Sequence, residues 1–404
     1  LGEQFLQGSF FKPGKEEPSL RKIPCTISRC DPTVDEKACG LLQMEHSVPP
    51  EILYSAYWYR SGTNRTMREH LKAIAVEAEK MVDKHIPTDR LLTALDIGCN
   101  DGTLLREYTK NVQKFGVDPS DVAAEVKDAT VIQDLFPSLQ LANALNGKEV
   151  DIVTSIAMFY DLESPVEFAK NIKSILSENG IWILEMSYMP LMLKMNSYDT
   201  ICHEHLEYYS LAVIEKILSM AGLQAVRVST NSINGGSLRV YATHAGSITY
   251  KNKEWAAEIQ KMHQDEFDLE LDTDKPYVNF QQKINFHRDE LIKLLRKLKA
   301  DGKKIHIYGA STKGNTLLQW CGIDNRTVEC AAERNPDKFG ARTLGTDIPI
   351  VSEEESRAMK PDYYLVLPWH FQDEFLEREK TTLEAGVGFI FPLPEIRIVK
   401  NSVK

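Results

Sequence analysis

Short apolar runs alternate with segments whose apolar residues recur every three or four positions, and this alternation occupies most of the chain beyond residue 65. LLTALDIG, FGVDP, EVDIVTSIAMF, GIWILEMSY and LQAVRVS predict strands, and SLRVYATHA at 237–245 predicts a closing antiparallel strand after the INGG turn. Met67 to Lys84, PVEFAKNIKSILSEN and SLAVIEKILSMAG carry the helical period. Such alternation covers a parallel sheet with helices on both faces, so a doubly wound α/β unit is expected. Residues 252–300 read as helix, broken near Asp274-Lys275-Pro276. A second series of the same kind follows in KKIHIYGASTKGNTLLQWC, TVECAAERNP, DIPIV, PDYYLVLPWH and VGFIFPLPEIRIV.

The chemistry concentrates first at ALDIGCNDGTLL, 94–105, and KFGVDPS, 114–120. A strand ending in Asp96 enters a turn through Gly98, Asn100 and Gly102, and a second strand ends in Asp118, followed by Pro119. Glycine lets backbone approach a ligand where a Cβ would clash, and an acid at the second strand tip can accept from both ribose hydroxyls. The spacing D-x-G-x-x-x-G departs from the dinucleotide pattern G-x-G-x-x-G. An acid beside the turn would repel a pyrophosphate, which places a nicotinamide oxidoreductase last. It suits the ammonium and sulfonium of S-adenosylmethionine. In VIQDLFP, Asp134 is expected to accept from the adenine amino group, with Leu135 and Phe136 flanking the ring. The expected core is that of a class I methyltransferase.

Three further clusters stand out. SYDTICHEHLEYYS, 197–210, leaves the sheet at its ligand-binding edge and holds His203, Glu204 and His205, either imidazole being suited to general base work. INGGSLRVY offers Asn234 in a turn and Arg239 within reach of a phosphate, although turn chemistry alone accounts for Asn-Gly-Gly. YGASTKGNTLL sets Ser311, Thr312 and Lys313 at a helix N-terminus suited to an anion, without the full P-loop pattern. ILYSAYWYRSGTN adds Tyr54, Tyr57, Trp58 and Tyr59, some of which are expected to pack in the core.

The net charge of -10 argues against nucleic acid or an anionic membrane as partner, and the lysines of RDELIKLLRKLKADGKK read as a solvated helix face. No apolar run reaches the roughly 18 residues that span a bilayer. The 7 scattered cysteines suggest a reducing, cytoplasmic setting rather than a disulfide framework. The chain opens on Leu1 without a methionine, so upstream residues are expected.

LGEQFLQGSF, CGLLQM, YWYRSGTNRTMREHL, DIGCNDGTLL, GVDPS, the EH of HEHLEYYS, INGGSLRVY, YGASTKGNTLL and FPLPEIRI occur in this order. Together they resemble the sugar C-methyltransferases of deoxysugar pathways, which act on nucleotide-linked 4-keto-6-deoxyhexoses. The resemblance implies a zinc-type N-terminal module at 1–65, truncated here, a methyltransferase domain at 66–250, a helical connector at 251–300 and a nucleotide-sugar-binding Rossmann-like domain at 301–404. It implies His205 as the base that deprotonates the carbon next to the ketone, Glu204 as its orienter or a sugar contact, and Tyr59 as the active-site tyrosine. Cys30 and Cys39 become candidate zinc ligands, while Cys25 reads as a packing residue and Cys202 stands where some members carry a tyrosine. An O- or N-methyltransferase and a non-enzymatic nucleotide-binding module are the competing readings. The oligomeric state is left open.

Overall fold

The computed structural model describes residues 1–15, 17–36, 38–54, 59–86 and 90–401. The first strand–helix series forms a seven-stranded sheet from β1 (Leu92–Ile97), β2 (Val112–Val117), β3 (Thr130–Ile132), β4 (Val150–Ile156), β5 (Leu176–Ser187), β6 (Leu223–Asn231) and β7 (Ser237–His244). Their spatial order is β6-β7-β5-β4-β1-β2-β3, with β7 antiparallel to β5 and β6 as expected. Every residue of β1 is buried, the mark of a central parallel strand covered on both faces.

Helix α1 (Arg65–Val82) covers one face. Its buried residues Met67, Leu71, Ile74, Ala75, Ala78 and Val82 form one stripe, and Asn64 caps it by accepting from Met67 N at 3.3 Å. Each large apolar side chain in such a stripe contributes roughly 1.5–3 kcal/mol on burial. On the other face, α3 (Pro165–Ile175) and α4 (Leu211–Ala221) pack around Trp182, whose Nε1 donates to Ser155 Oγ at 2.9 Å; α2 is the short helix Thr103–Glu107 after β1.

Two helices follow, α5 (Lys253–Asp268) and α6 (Lys275–Ala300), with Pro276 in the first turn of α6. Proline lacks an N–H and so fits where a helix needs none, which explains the break foreseen there. Glu266 of α5 accepts from Ala212 N at 3.2 Å and Tyr188 Oη at 2.6 Å, capping α4 and binding this pair to the first sheet. The second sheet comprises β8 (Ile305–Tyr308), β9 (Ala331–Glu333), β10 (Ile350–Ser352), β11 (Tyr363–Val366), β12 (Gly388–Phe391) and β13 (Arg397–Val399), in order β10-β9-β8-β11-β12-β13. FPLPEIRIV divides between two antiparallel strands, β12 and β13, because Pro392 and Pro394 cannot donate to a ladder.

The amino-terminal residues join the two units. Ile27–Arg29, Leu42–Met44 and Glu207–Tyr208 make a small antiparallel sheet, and Phe10–Phe11 pair with Arg342–Thr343. Tyr198, Ile201, Leu206 and Tyr208 share one apolar cluster with Phe10, Cys25, α6 and the second sheet. The segment bearing His205 thus leaves the first sheet and buries its apolar side chains against the second.

Candidate active site between two sheets

Both sheets end at one cavity of about 680 Å³, a volume typical of small-molecule sites. Gly98, Asp118 and Ala157, just beyond or at the carboxyl ends of β1, β2 and β4, line one side; Gly309 and Glu333, at the ends of β8 and β9, line the other. This is the edge at which open α/β sheets bind ligands.

On the first side, the chain turns through Gly98 at φ 74° and Asn100 at φ 48°. A Cβ on Gly98 would stand 3.1 Å from the Met158 side chain. Asp118 pins this turn, accepting from Asn100 N and Ser120 N, both at 2.8 Å. A carboxylate has about four lone-pair sites, so capacity remains for a ligand's hydroxyls. Asp96 is buried behind the turn and accepts from Thr154 Oγ1 at 2.6 Å. Burial, reinforced by the Asp118 charge, pushes its carboxyl up to about 7. Two adjacent acids at the cavity wall suit a cationic ligand, and S-adenosylmethionine fits them. Pro119, Asp134, Leu135 and Phe136 line the same lobe. Asp134 accepts from Leu135 N (2.8 Å) and Ser138 Oγ (2.7 Å), and Phe136 packs edge-on to Phe168. Gly102 is not on the wall; it caps α2 at φ 72°, where a Cβ would lie 2.8 Å from Val126.

The turn also grips the residues before α1. Asn100 Nδ2 donates to Tyr59 O at 3.0 Å, and Asn100 Oδ1 accepts from Ser61 N at 2.9 Å. Tyr59 consequently forms part of the cavity wall. Tyr57 and Trp58 lie outside the described residues.

At the junction, His205 Nδ1 lies 2.8 Å from Thr200 O. A carbonyl only accepts, so Nδ1 carries the proton and Nε2 holds the lone pair. Burial, and then the positive charge of Lys313, push this imidazole down to about 3. It is a free base at neutral pH. Burial pushes neighbouring Glu204 up to about 7, against a hydrogen bond from the Gly8 backbone. A Cβ on Gly8 would stand 2.1 Å from Glu204 Oε1, so a larger residue there would push this carboxylate aside. His203 turns away from the cavity: its Nε2 meets Ile23 O at 3.1 Å and Cys25 Sγ at 3.3 Å, and its backbone N donates to Gln7 Oε1 at 3.1 Å. Of the two imidazoles that the sequence left open, His205 alone reaches the wall.

Ser311, Thr312 and Lys313 line the cavity from the opposite side, whereas Asn234, in the turn between β6 and β7, lines it from the first unit. Ser311 caps α7 (Thr312–Cys321), its Oγ accepting from Gly314 N at 3.1 Å. Lys313 does not hang free to meet a phosphate. Its Nζ crosses to the first unit and donates to Asn234 O at 2.8 Å, close enough to Asp199 and His205 for its charge to act on both. Arg239 corrects the sequence reading further. It lies on β7, is buried, points toward α1, and pairs with Glu185 at 2.7 Å and Glu77 at 3.5 Å; it is not part of the wall.

Cys30 Sγ accepts from Cys39 N at 3.3 Å, so the two candidate ligands are neighbours. A structural zinc site takes four ligands. Among the described residues no group of three or more potential ligands converges, and the zinc expectation does not fit this set. Cys25 is a packing residue as expected, 1% exposed.

Sequence reasoning missed Gly8, Asp199, Glu333 and His370. Glu333 left a signal: its Oε2 accepts from Ala310 N at 2.9 Å, repeating the Asp118–Asn100 wiring, and AAERNP parallels FGVDPS. Gly8 and Asp199 lie inside LGEQFLQGSF and SYDTICHEHLEYYS, and His370 ends PDYYLVLPWH, but nothing within those segments marks the three as site residues.

Comparison with known proteins adds the following. The family described as "Methyltransferase domain" matches residues 62–228, and the one described as "C-methyltransferase C-terminal domain" matches 232–394. The chain is 28% identical over 387 residues to C-methyltransferase NovU of Streptomyces niveus, covering 90% of this chain and 86% of that protein. Among solved structures, an S-adenosylmethionine-dependent methyltransferase from Clostridium acetobutylicum aligns at TM-score 0.35 and 13% identity, over 44% of this chain and 92% of its own. Magnesium protoporphyrin IX methyltransferase from Synechocystis aligns at TM-score 0.34 and 15% identity, over 46% and 88%.

Proposed function

We propose that this chain, an S-adenosylmethionine-dependent C-methyltransferase related to NovU, methylates the carbon next to the ketone of a nucleotide-linked 4-keto-deoxysugar in the cytoplasm. The observation that carries this reading is the lone pair of His205 Nε2, held at a cavity that the donor-type turn and the Ser311–Lys313 turn share. When bound, S-adenosylmethionine supplies a methyl group already activated by its sulfonium. Asp96, Asp118 and the Gly98 turn hold that donor, with Asp134, Leu135 and Phe136 around its adenine. His205 removes the proton from the carbon next to the ketone, and Glu204 holds the sugar or the base in place. Tyr59 closes the donor side. A ketone makes the neighbouring C–H acidic enough for an imidazole once donors meet the developing oxyanion. Lys313 supplies positive charge beside His205, and Ser311 and Thr312 offer hydroxyls to the nucleotide part. The division of labour follows the proposed domains, 66–250 for the donor and 301–404 for the nucleotide sugar.

The test is mass spectrometry in D₂O with methyl-labelled donor and a panel of nucleotide-linked 4-keto-6-deoxysugars. Labelled product, with deuterium entering the sugar even when the donor is omitted, is the expected result. Methyl transfer to oxygen or nitrogen without exchange would overturn the enolising mechanism.

A further inference from the structure

We propose that His370 is a substrate-contacting residue that donates a hydrogen bond to the ketone oxygen of the acceptor while His205 takes the adjacent proton. The proposal rests on the ketosugar reading above. His370 belongs to the short segment after β11 and forms part of the cavity wall. Its place is fixed by the segment that orients the base. Trp369 Nε1 donates to Asp199 Oδ2 at 2.8 Å, and the very next residue, Thr200, holds His205 through its carbonyl. The Trp369 ring also lies against Gly235, where a Cβ would stand 3.1 Å from it. The two imidazoles therefore belong to one frame although they come from different sheets.

The ring of His370 packs near Trp369 and Phe371, with centroids 5.6 and 4.3 Å away. Its Nδ1 is sealed from solvent and has no hydrogen-bond partner. A neutral imidazole carries one N–H, and an N–H shut away without an acceptor is costly. The proton is better placed on Nε2, where a ligand oxygen can accept it. Burial and the nearby Lys313 charge hold the ring far below its ordinary range, so it stays neutral. A neutral imidazole donor polarises a carbonyl without surrendering its proton.

Electrons balance as follows. The C–H pair becomes the carbon–carbon π bond of the enolate, the carbonyl π pair moves onto oxygen, and the proton resides on His205. His370 lends a hydrogen bond and exchanges no proton.

The experiment compares His370→Ala and His370→Asn with the wild-type chain. Deuterium entry into the ketosugar is measured without donor, and donor affinity by calorimetry reports folding. Removing an oxyanion donor typically costs about 10²–10³-fold in rate. The expected result is a loss of that order in exchange for His370→Ala, partial retention for His370→Asn, whose amide can also donate, and unaltered donor affinity in both. Wild-type exchange rates in both variants, or a raised KM with exchange intact, would overturn the proposal. If His370→Ala fails to bind donor, His370→Asn decides: exchange reduced yet above background, with donor affinity intact, keeps the proposal, and exchange at the wild-type rate or at background sinks it. Absence of exchange in the wild-type chain would instead remove the ketosugar reading, and this proposal with it.

Discussion

At the scale of single residues, burial and neighbouring charge decide which protonation state each group brings to the cavity. Asp96, pushed up to about 7, is only partly ionised at neutral pH. A cationic donor binds the ionised form better, so donor affinity should rise as pH increases through 7 and level off above it. Asp96→Asn should weaken binding at pH 8 and flatten that dependence; calorimetry at pH 6, 7 and 8 checks both. His205 is depressed, with Lys313 contributing after burial. Removing the cation by Lys313→Met should raise the His205 value toward its ordinary range. Base activity, lost as pH falls through that value, should then disappear at a higher pH than in the wild-type chain. A pH profile of deuterium exchange that keeps its acid limb in place would contradict this assignment.

At the scale of elements, the site depends on pieces distant in sequence. Gln7 is fully buried and acts on several of them: its Nε2 donates to Cys25 Sγ at 3.2 Å, its Oε1 accepts from His203 N at 3.1 Å and its carbonyl accepts from Asn315 Nδ2 at 2.7 Å. Gly8 follows directly, and its bare backbone faces Glu204. Gly8→Ala should displace Glu204, because the new Cβ would sit 2.1 Å from its oxygen. Misplacing a positioning group by about 1 Å can cost roughly 10²-fold in rate. A drop of that order in kcat with donor Kd unchanged is expected, and steady-state kinetics beside calorimetry measures it. The amino-terminal strap is therefore part of the site rather than an appendage to it.

At the scale of the whole molecule, the two sheets act as one object through a few buried polar bridges. Trp369 to Asp199 and Lys313 to Asn234 cross between them, both at 2.8 Å. Losing a partner of a buried polar group costs about 1–3 kcal/mol. Trp369→Phe keeps the ring but removes that donor from Asp199, so thermal unfolding should move down by several degrees and acceptor KM should rise. An unchanged melting temperature would show that the bridge contributes no stability. No helix among the described residues is long and apolar enough to cross a membrane.

Much was legible from the chain alone. The strands around ALDIGCNDGTLL and GVDPS declare themselves because strand period, turn glycines and tip acids are local properties, set by neighbours in sequence. The same holds for the helix pair broken before Pro276 and for the second sheet, whose buried strands read as unbroken apolar runs. β3, three residues long, was too short to show a period. Which side chains meet was decided only by tertiary structure. His203 and His205 are two residues apart and alike in chemistry, with only the family resemblance favouring His205; in the fold one anchors the amino-terminal strap and the other faces the cavity. Lys313 reads as a phosphate ligand until the first sheet supplies Asn234 O for it. Arg239 reads as free until Glu185 and Glu77 neutralise it. Gly8, Asp199 and His370 are not marked within their own segments because their importance comes from groups far away in the chain, brought together by burial of apolar surface, which acts over distance in space and takes no account of distance along the chain.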